Sequence, residues 1–414
     1  MRKLLILTLS LFLFAFSYSQ TTQKQQWIDS VYKALNTSER FGQLLMVRAN
    51  QKPNKYIKSI DQYIKAYNIG GVCFFAGLPI EQMQQTKKWQ AIAKTPLLVG
   101  IDGEWGLGMR LKETISYPFQ MTLGSVANDS LIYEMGYQIG LECKRMGIQM
   151  NFAPVVDVNN NPNNPVINSR SFGDQPKNVA KKAIMYMRGL QDAGIIATAK
   201  HFPGHGDTDT DSHYTLPLVS HDKARLDSVE LFPYDELIEN GLGGIMVAHL
   251  YVPAYETEKD VASTLSKNII TGLLREKMGF NGLIVTDALD MNGVTKYFPP
   301  GEIEVRALLA GNDILLLPEN IPAAITGLTE ALSSGRISDS LLEAKCKKIL
   351  SYKYDLGLNH QPEFNFDHLI EDLNSPKGLA IKENLLEEAI TLIENQKDIL
   401  PLSCQKENQL VVVS

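Results

Sequence analysis

The chain has 414 residues, 44% of them hydrophobic and 21% charged, a globular balance that excludes a disordered or fibrous protein and can fill one large α/β barrel plus an appendage. Lys and Arg number 40 against 46 Asp and Glu, a formal charge of −6, so there is no basic field for gathering nucleic acid or an anionic membrane, and a neutral or small substrate is favoured. The four cysteines, Cys73, Cys143, Cys346 and Cys404, are scattered without a C-x-x-C pair and read as buried free thiols rather than a disulfide framework.

The chain opens with Arg2 and Lys3, then an apolar run over residues 4–16, then Ser17-Tyr18-Ser19-Gln20. This is the pattern of a secretory signal peptide over residues 1–19, and the run is shorter than the roughly 20 residues of a membrane-spanning helix. The mature chain is therefore expected to be exported, to the periplasm or the cell exterior, with no membrane span. Short apolar runs follow at 44–47, 71–75, 97–102, 150–158, 196–201, 244–249, 283–287 and 313–317. Between them lie helical patterns at 56–67, 80–94, 131–146, 177–193, 224–240, 265–277, 303–310 and 323–334. Strands alternating with helices imply parallel pairing, because a parallel neighbour requires a crossover. Eight such units predict a closed (β/α)8 barrel over residues 25–358. The competing doubly wound sheet lacks a G-x-G-x-x-G loop after any early strand. Beyond the barrel, 339–358 reads as a helix, 359–376 as a polar linker and 379–395 as a second helix. The run at 409–413 reads as the first strand of a further α/β domain, so residues 359–414 are expected to be a linker and the start of a second domain cut short.

Active sites in such barrels form at the carboxyl ends of the strands, and the polar residues collect there. The third strand ends in Asp102-Gly103-Glu104, the fourth carries Asp157, the sixth ends in His249 and the seventh in Thr286-Asp287. The fifth continues through Lys200, His201, His205, Asp207, Asp209, Asp211 and His213, punctuated by Pro203, Gly204 and Gly206. His and Asp at this density permit a divalent metal site. They equally permit a proton-transfer dyad: Asp211 and His213 are two apart, so an extended backbone would put both on one face, where the carboxylate can orient the imidazole.

The segment from Lys200 to His213, KHFPGHGDTDTDSH, resembles the signature of the β-N-acetylglucosaminidases of glycoside hydrolase family 3. The resemblance covers residues 30–358 and includes Ile101-Asp102-Gly103-Glu104 through Arg110, Arg170-Ser171-Phe172-Gly173 and Ile284-Val285-Thr286-Asp287. The tail, through Ile399-Leu400-Pro401-Leu402, resembles the entry to the second domain of longer members. The resemblance implies Asp287 as nucleophile, His213 as proton donor and then base, and Asp211 as its partner. Asp102, Arg110, Arg170, Lys200 and His201 fall at the family's sugar-binding positions, and no cofactor or metal is implied. His205 and Asp207 are expected to hold the loop. Trp105 and Leu107 stand where many relatives have Gly and Arg, which predicts a differently shaped rim after the third strand. Asp290 is the rival nucleophile. The expected substrate is a glycan or peptidoglycan fragment with a terminal β-linked N-acetylhexosamine. A β-glucosidase or phosphorylase of the same family, a metal-dependent barrel hydrolase and a non-catalytic sugar-binding barrel are the alternatives.

Overall fold

The computed structural model describes residues 22–49, 55–212 and 214–395. The expected signal peptide, His213 and the run at 409–413 lie outside the described residues, as does Cys404; Cys73, Cys143 and Cys346 are buried free thiols.

Two helices absent from the sequence reading precede the first strand: α1 (residues 22–34) and α2 (Thr37–Gly42), the latter started by a reciprocal capping box between Asn36 and Glu39. The barrel then runs β1 (Leu45–Ala49), α3 (Lys55–Tyr67), β2 (Gly71–Phe74), α4 (Pro79–Ile92) and β3 (Leu98–Ile101). It continues with α5 (Gln120–Gly124), α6 (Asp129–Arg145), β4 (Met150–Asn151), α7 (Pro176–Asp192) and β5 (Ile196–Phe202). Next come α8 (Lys223–Ser228), α9 (Phe232–Glu239), β6 (Gly244–Val247), a π-helix (Asn268–Lys277) and β7 (Leu283–Thr286). The remaining elements are α10 (Asn292–Thr295), α11 (Glu302–Ala310), β8 (Leu315–Leu316), α12 (Ile321–Ser333), α13 (Asp339–Asp355), α14 (Leu369–Leu373) and α15 (Pro376–Glu388).

All eight strands are parallel, in the order β7-β6-β5-β4-β3-β2-β1-β8. A Val285–Ile314 bridge joins the two ends, and the Leu316 N–H donates to Thr286 Oγ1 at 2.9 Å, so the sheet closes into a (β/α)8 barrel. Strands β2, β3, β6 and β7 are buried throughout, as expected when helices cover the outside and side chains fill the inside.

Three elements differ from the sequence reading. The helical pattern at 224–240 splits into α8 and α9 because Pro233, in the first turn of α9, has no N–H to continue α8. The polar stretch at 359–376 contains α14, and α15 begins at Pro376 and stops at Glu388, earlier than the predicted 395. Both fold back onto the barrel: Leu369, Leu373, Ile381 and Leu385 are buried in its core, and Arg145 donates to Asp372 and to the Asn365 and Asp367 carbonyls. At the opposite end from the strand termini, buried Asp313 accepts from Arg275 (2.5 Å), Lys345 (2.6 Å) and Lys348 (2.8 Å), which ties the π-helix and α13 to the barrel floor.

Candidate active site

At the end of β3 the chain turns so that Asp102 and Glu104 both meet Lys200 from β5. Lys200 Nζ lies 2.7 Å from Glu104 Oε1 and also donates to Asp102 Oδ1. Arg110 reaches back to Asp102, with its Nε 2.9 Å from the Asp102 carbonyl and its Nη2 on the carboxylate. Arg170 forks onto Glu104, Nε at 2.9 Å and Nη2 at 2.6 Å. Burial resists ionisation of Glu104, but Lys200 and then Arg170 outweigh it and hold the carboxyl well below the usual carboxylate range. The result is a wall of fixed, paired donors and acceptors suited to ring hydroxyls.

Asp157, past the end of β4, organises the start of the next loop. It accepts from His201 Nδ1 at 2.6 Å and from the His205 N–H at 2.7 Å. With Nδ1 committed to the carboxylate, His201 presents Nε2 to Arg170 Nη2 at 3.2 Å and to the cavity. His205 is buried, and burial, followed by the charge of His201, lowers its pKa to about 4. It stays neutral between Thr208 Oγ1 (2.6 Å) and Ser212 Oγ (3.2 Å), holding the loop as expected.

The loop that follows is pinned to the β4 side. A Cβ at Gly206 would sit 1.9 Å from the Val158 carbonyl, so only glycine permits this approach. Asp207 accepts from His221 Nε2 at 2.7 Å and lies 3.5 Å from Arg225 Nη2, and Arg225 Nη1 lies 3.1 Å from Glu230. Asp207, His221 and Glu230 have ligand-like spacing, yet the cation between two of them is the Arg225 guanidinium. Further on, the Asp211 carbonyl accepts from the Tyr214 N–H at 3.0 Å and the Thr215 N–H at 3.2 Å. These two bonds mark a turn that begins at Asp211. Ser212 meets α10, whose Gly293 N–H donates to the Ser212 carbonyl at 3.2 Å.

Asp287 immediately follows β7 and lines the cavity. Its Oδ1 accepts from the Ala288 N–H at 2.8 Å, and the next helix, α10, has Met291 rather than Asp287 at its N-cap. Burial alone would raise this carboxyl; His249, then His201, the Ala288 amide and Lys200 hold it below the usual range. His249 is buried, bonded to Thr264 Oγ1 at 2.7 Å and to the Ala288 carbonyl at 2.9 Å, and so fixes the segment after Asp287. Asp290 is exposed and paired with Arg48 Nη2 at 2.8 Å.

A cavity of about 310 Å³ brings these groups together, with Asp102, Arg110, Arg170, Lys200, His201 and Asp287 in its wall. Arg48, Phe75 and Asp290 line it as well, and the Arg48 guanidinium lies 4.5 Å from the Phe75 ring centre. Arg48 was missed by sequence reasoning although it directly follows the first apolar run, the position that marked the other strands. Glu104 and Asp157 stood out as strand-end residues but were given no role. Trp105 and Leu107 do not line the cavity: Leu107 is buried in the core and Trp105 packs edge-on against Phe119 at 4.6 Å, so the anticipated reshaping of the rim does not reach the cavity wall.

Residues 36–352 match the Glycosyl hydrolase family 3 N terminal domain. The chain is 32% identical to a β-hexosaminidase A from Pseudoalteromonas piscicida, with 89% of this chain and 69% of that protein aligned. Among solved structures it resembles a glycoside hydrolase family 3 β-N-acetylglucosaminidase from Paenibacillus sp. str. FPU-7, at a TM-score of 0.81 and 37% identity over 87% of this chain and 70% of that one. It also resembles a β-glucoside phosphorylase, BglX, at a TM-score of 0.86 and 27% identity over 92% of this chain and 70% of that one.

Proposed function

Because the chain belongs to glycosyl hydrolase family 3, we propose that it is a retaining exo-β-N-acetylglucosaminidase, with Asp287 as nucleophile and His213, oriented by Asp211, as acid and base. That it is a glycoside hydrolase acting on carbohydrate follows from the family and the named relatives. The observation that carries the finer reading is the contrast among the cavity carboxylates. Asp102 and Asp290 are each ion-paired, whereas Asp287, among the described residues, has no ion-pair partner and is held ionised. An ionised, unpaired carboxylate at the barrel mouth is free to attack a carbon.

In the first half-reaction Asp287 bonds to the anomeric carbon as the glycosidic C–O bond breaks, and His213 gives its proton to the leaving oxygen. In the second, His213 takes a proton from water as the water oxygen displaces the Asp287 carboxylate. An imidazole starts near pKa 6.5 and can serve both directions around neutral pH. Asp102, Arg110, Arg170, Lys200 and His201 hold the sugar by its hydroxyls. The cavity volume lies at the low end of small-molecule sites, roughly 300–1,000 Å³, which supports one terminal ring and hence exo cleavage of glycan or peptidoglycan fragments. The basic, apolar and small-residue pattern of residues 1–19 supports export; among the described residues no helix is long and apolar enough to cross a membrane.

The test is a panel of 4-nitrophenyl β-glycosides with the anomer of the first product followed by NMR. The N-acetylglucosaminide is cleaved much faster than the glucoside, the first product is the β-anomer, and EDTA leaves the rate unchanged. Preference for the glucoside, an α-anomer as first product or a metal-restorable loss would each sink the reading. The likeness to a β-glucoside phosphorylase favours one second reading, phosphorolysis. It predicts a sugar 1-phosphate when inorganic phosphate is present.

A further inference from the structure

We propose that α10, the short helix after Asp287, positions the proton-donor loop, with Gly293 and Lys296 as the positioning residues; this rests on the reading of His213 as acid and base. The two residues that flank position 213 are both held through their backbone carbonyls by α10 or the residue that ends it. The Gly293 N–H donates to the Ser212 carbonyl at 3.2 Å, and Lys296 Nζ donates to the Tyr214 carbonyl at 2.6 Å. Lys296 is the C-cap residue of α10. Backbone acceptors do not depend on which side chains the loop carries, so the restraint acts on the path of the chain itself.

Gly293 also sets how close the loop can come. A Cβ there would lie 3.0 Å from the Ser212 carbonyl oxygen, 3.0 Å from His249 Cβ and 3.4 Å from the Thr215 carbonyl oxygen. His249 is anchored by Thr264 and the Ala288 carbonyl and cannot retreat, so a larger residue must push the loop outward. The nucleophile comes from β7 and the proton donor from the loop after β5, and α10 joins them: it continues the segment that carries Asp287 and grips the segment around 213. General acid catalysis requires hydrogen-bond reach of the leaving oxygen, and a displacement of about 1 Å can cost on the order of 10²-fold in rate.

The experiment compares kcat/KM on N,N′-diacetylchitobiose, whose leaving group needs a proton, with that on the 2,4-dinitrophenyl β-N-acetylglucosaminide, whose leaving group does not. His213→Ala is the reference and should lose activity almost wholly on the disaccharide. Gly293→Ala and Lys296→Met should lose ~10-fold or more on the disaccharide and less than ~2-fold on the aryl glycoside, and Lys296→Arg, which keeps a donor, should recover most of the loss. Equal losses on both substrates, with or without a lowered melting temperature, would make the contacts merely structural and overturn the proposal. So would unchanged disaccharide activity in Gly293→Ala and Lys296→Met while His213→Ala shows the leaving-group dependence. A uniform loss in His213→Ala itself overturns the assignment of His213, and the proposal with it.

Discussion

Asp287, half-buried, and Glu104, buried, are both carboxylates kept ionised, by different means. Glu104 is clamped between Lys200 and Arg170, whereas Asp287 relies on the imidazoles of His249 and His201 and one backbone amide. Asp287→Asn keeps an oxygen for the Ala288 N–H, so the fold should survive while turnover falls by several orders of magnitude. A slow 2-fluoro or 5-fluoro sugar should label the native protein, and peptide mapping should find the label on Asp287. Near-normal turnover by the Asn variant, or a label on Asp290, would overturn the assignment. At this scale the positions of Asp102, Lys200, His201 and Asp287 were legible, because parallel strands deliver their last residues to one rim. Their pairing was not. That Lys200 would bridge Asp102 and Glu104, or Asp157 fix His201, depends on turns after β3 and β4 that bring residues 98 and 44 positions apart into contact.

The connection between α6 and the turn after β3 carries a buried acid. Glu142 accepts from Tyr117 Oη at 3.1 Å and from Gln138 Nε2 at 3.3 Å, and burial pushes its carboxyl up from 4.5 to about 8. Between those values the folded protein keeps a proton that the unfolded chain releases. The stabilisation is therefore complete below 4.5 and lost as pH rises through about 8. Glu142→Gln, which cannot ionise and retains an oxygen for Tyr117, should melt higher than the native protein near pH 8.5 and close to it near pH 4 (both roughly one half-unit beyond the window in which the linkage acts). A difference that does not change with pH would refute the protonated state. Element type was readable from periodicity, but element breaks were less so. Pro233 could have divided the 224–240 helix on sight, since proline favours a helix start over a helix interior. The contact of the Ser212 carbonyl with the Gly293 N–H had no such mark, because Gly293 is distant in sequence and adjacent only in space.

The closed barrel followed from eight recurring apolar runs alternating with helical patterns, the signal least sensitive to the identity of any one residue. The docking of α14 and α15 did not, since polar stretches reveal neither Arg145 nor the pocket it fills with Asn365, Asp367 and Asp372. The barrel also separates its tasks between its two ends. Asp313 with Arg275, Lys345 and Lys348 consolidates the floor, while the ion pairs at the mouth serve the cavity.

Those ion pairs set how the molecule meets its substrate. Arg48, Arg110, Arg170 and Lys200 are paired with Asp290, Asp102 and Glu104, and the unpaired Asp287 carboxylate brings the cavity's anions level with its cations, so its charges offset one another within a short range. Such short dipoles fade well inside the screening length of physiological salt, about 8 Å. An uncharged sugar is consequently neither drawn in from a distance nor repelled, and encounter is governed by diffusion and fit. Raising sodium chloride from ~0.05 to ~0.5 M, which shortens the screening length severalfold, should change kcat/KM for a neutral disaccharide by less than about twofold. A steep ionic-strength dependence would reveal uncompensated charge at the mouth and a substrate that carries charge of its own.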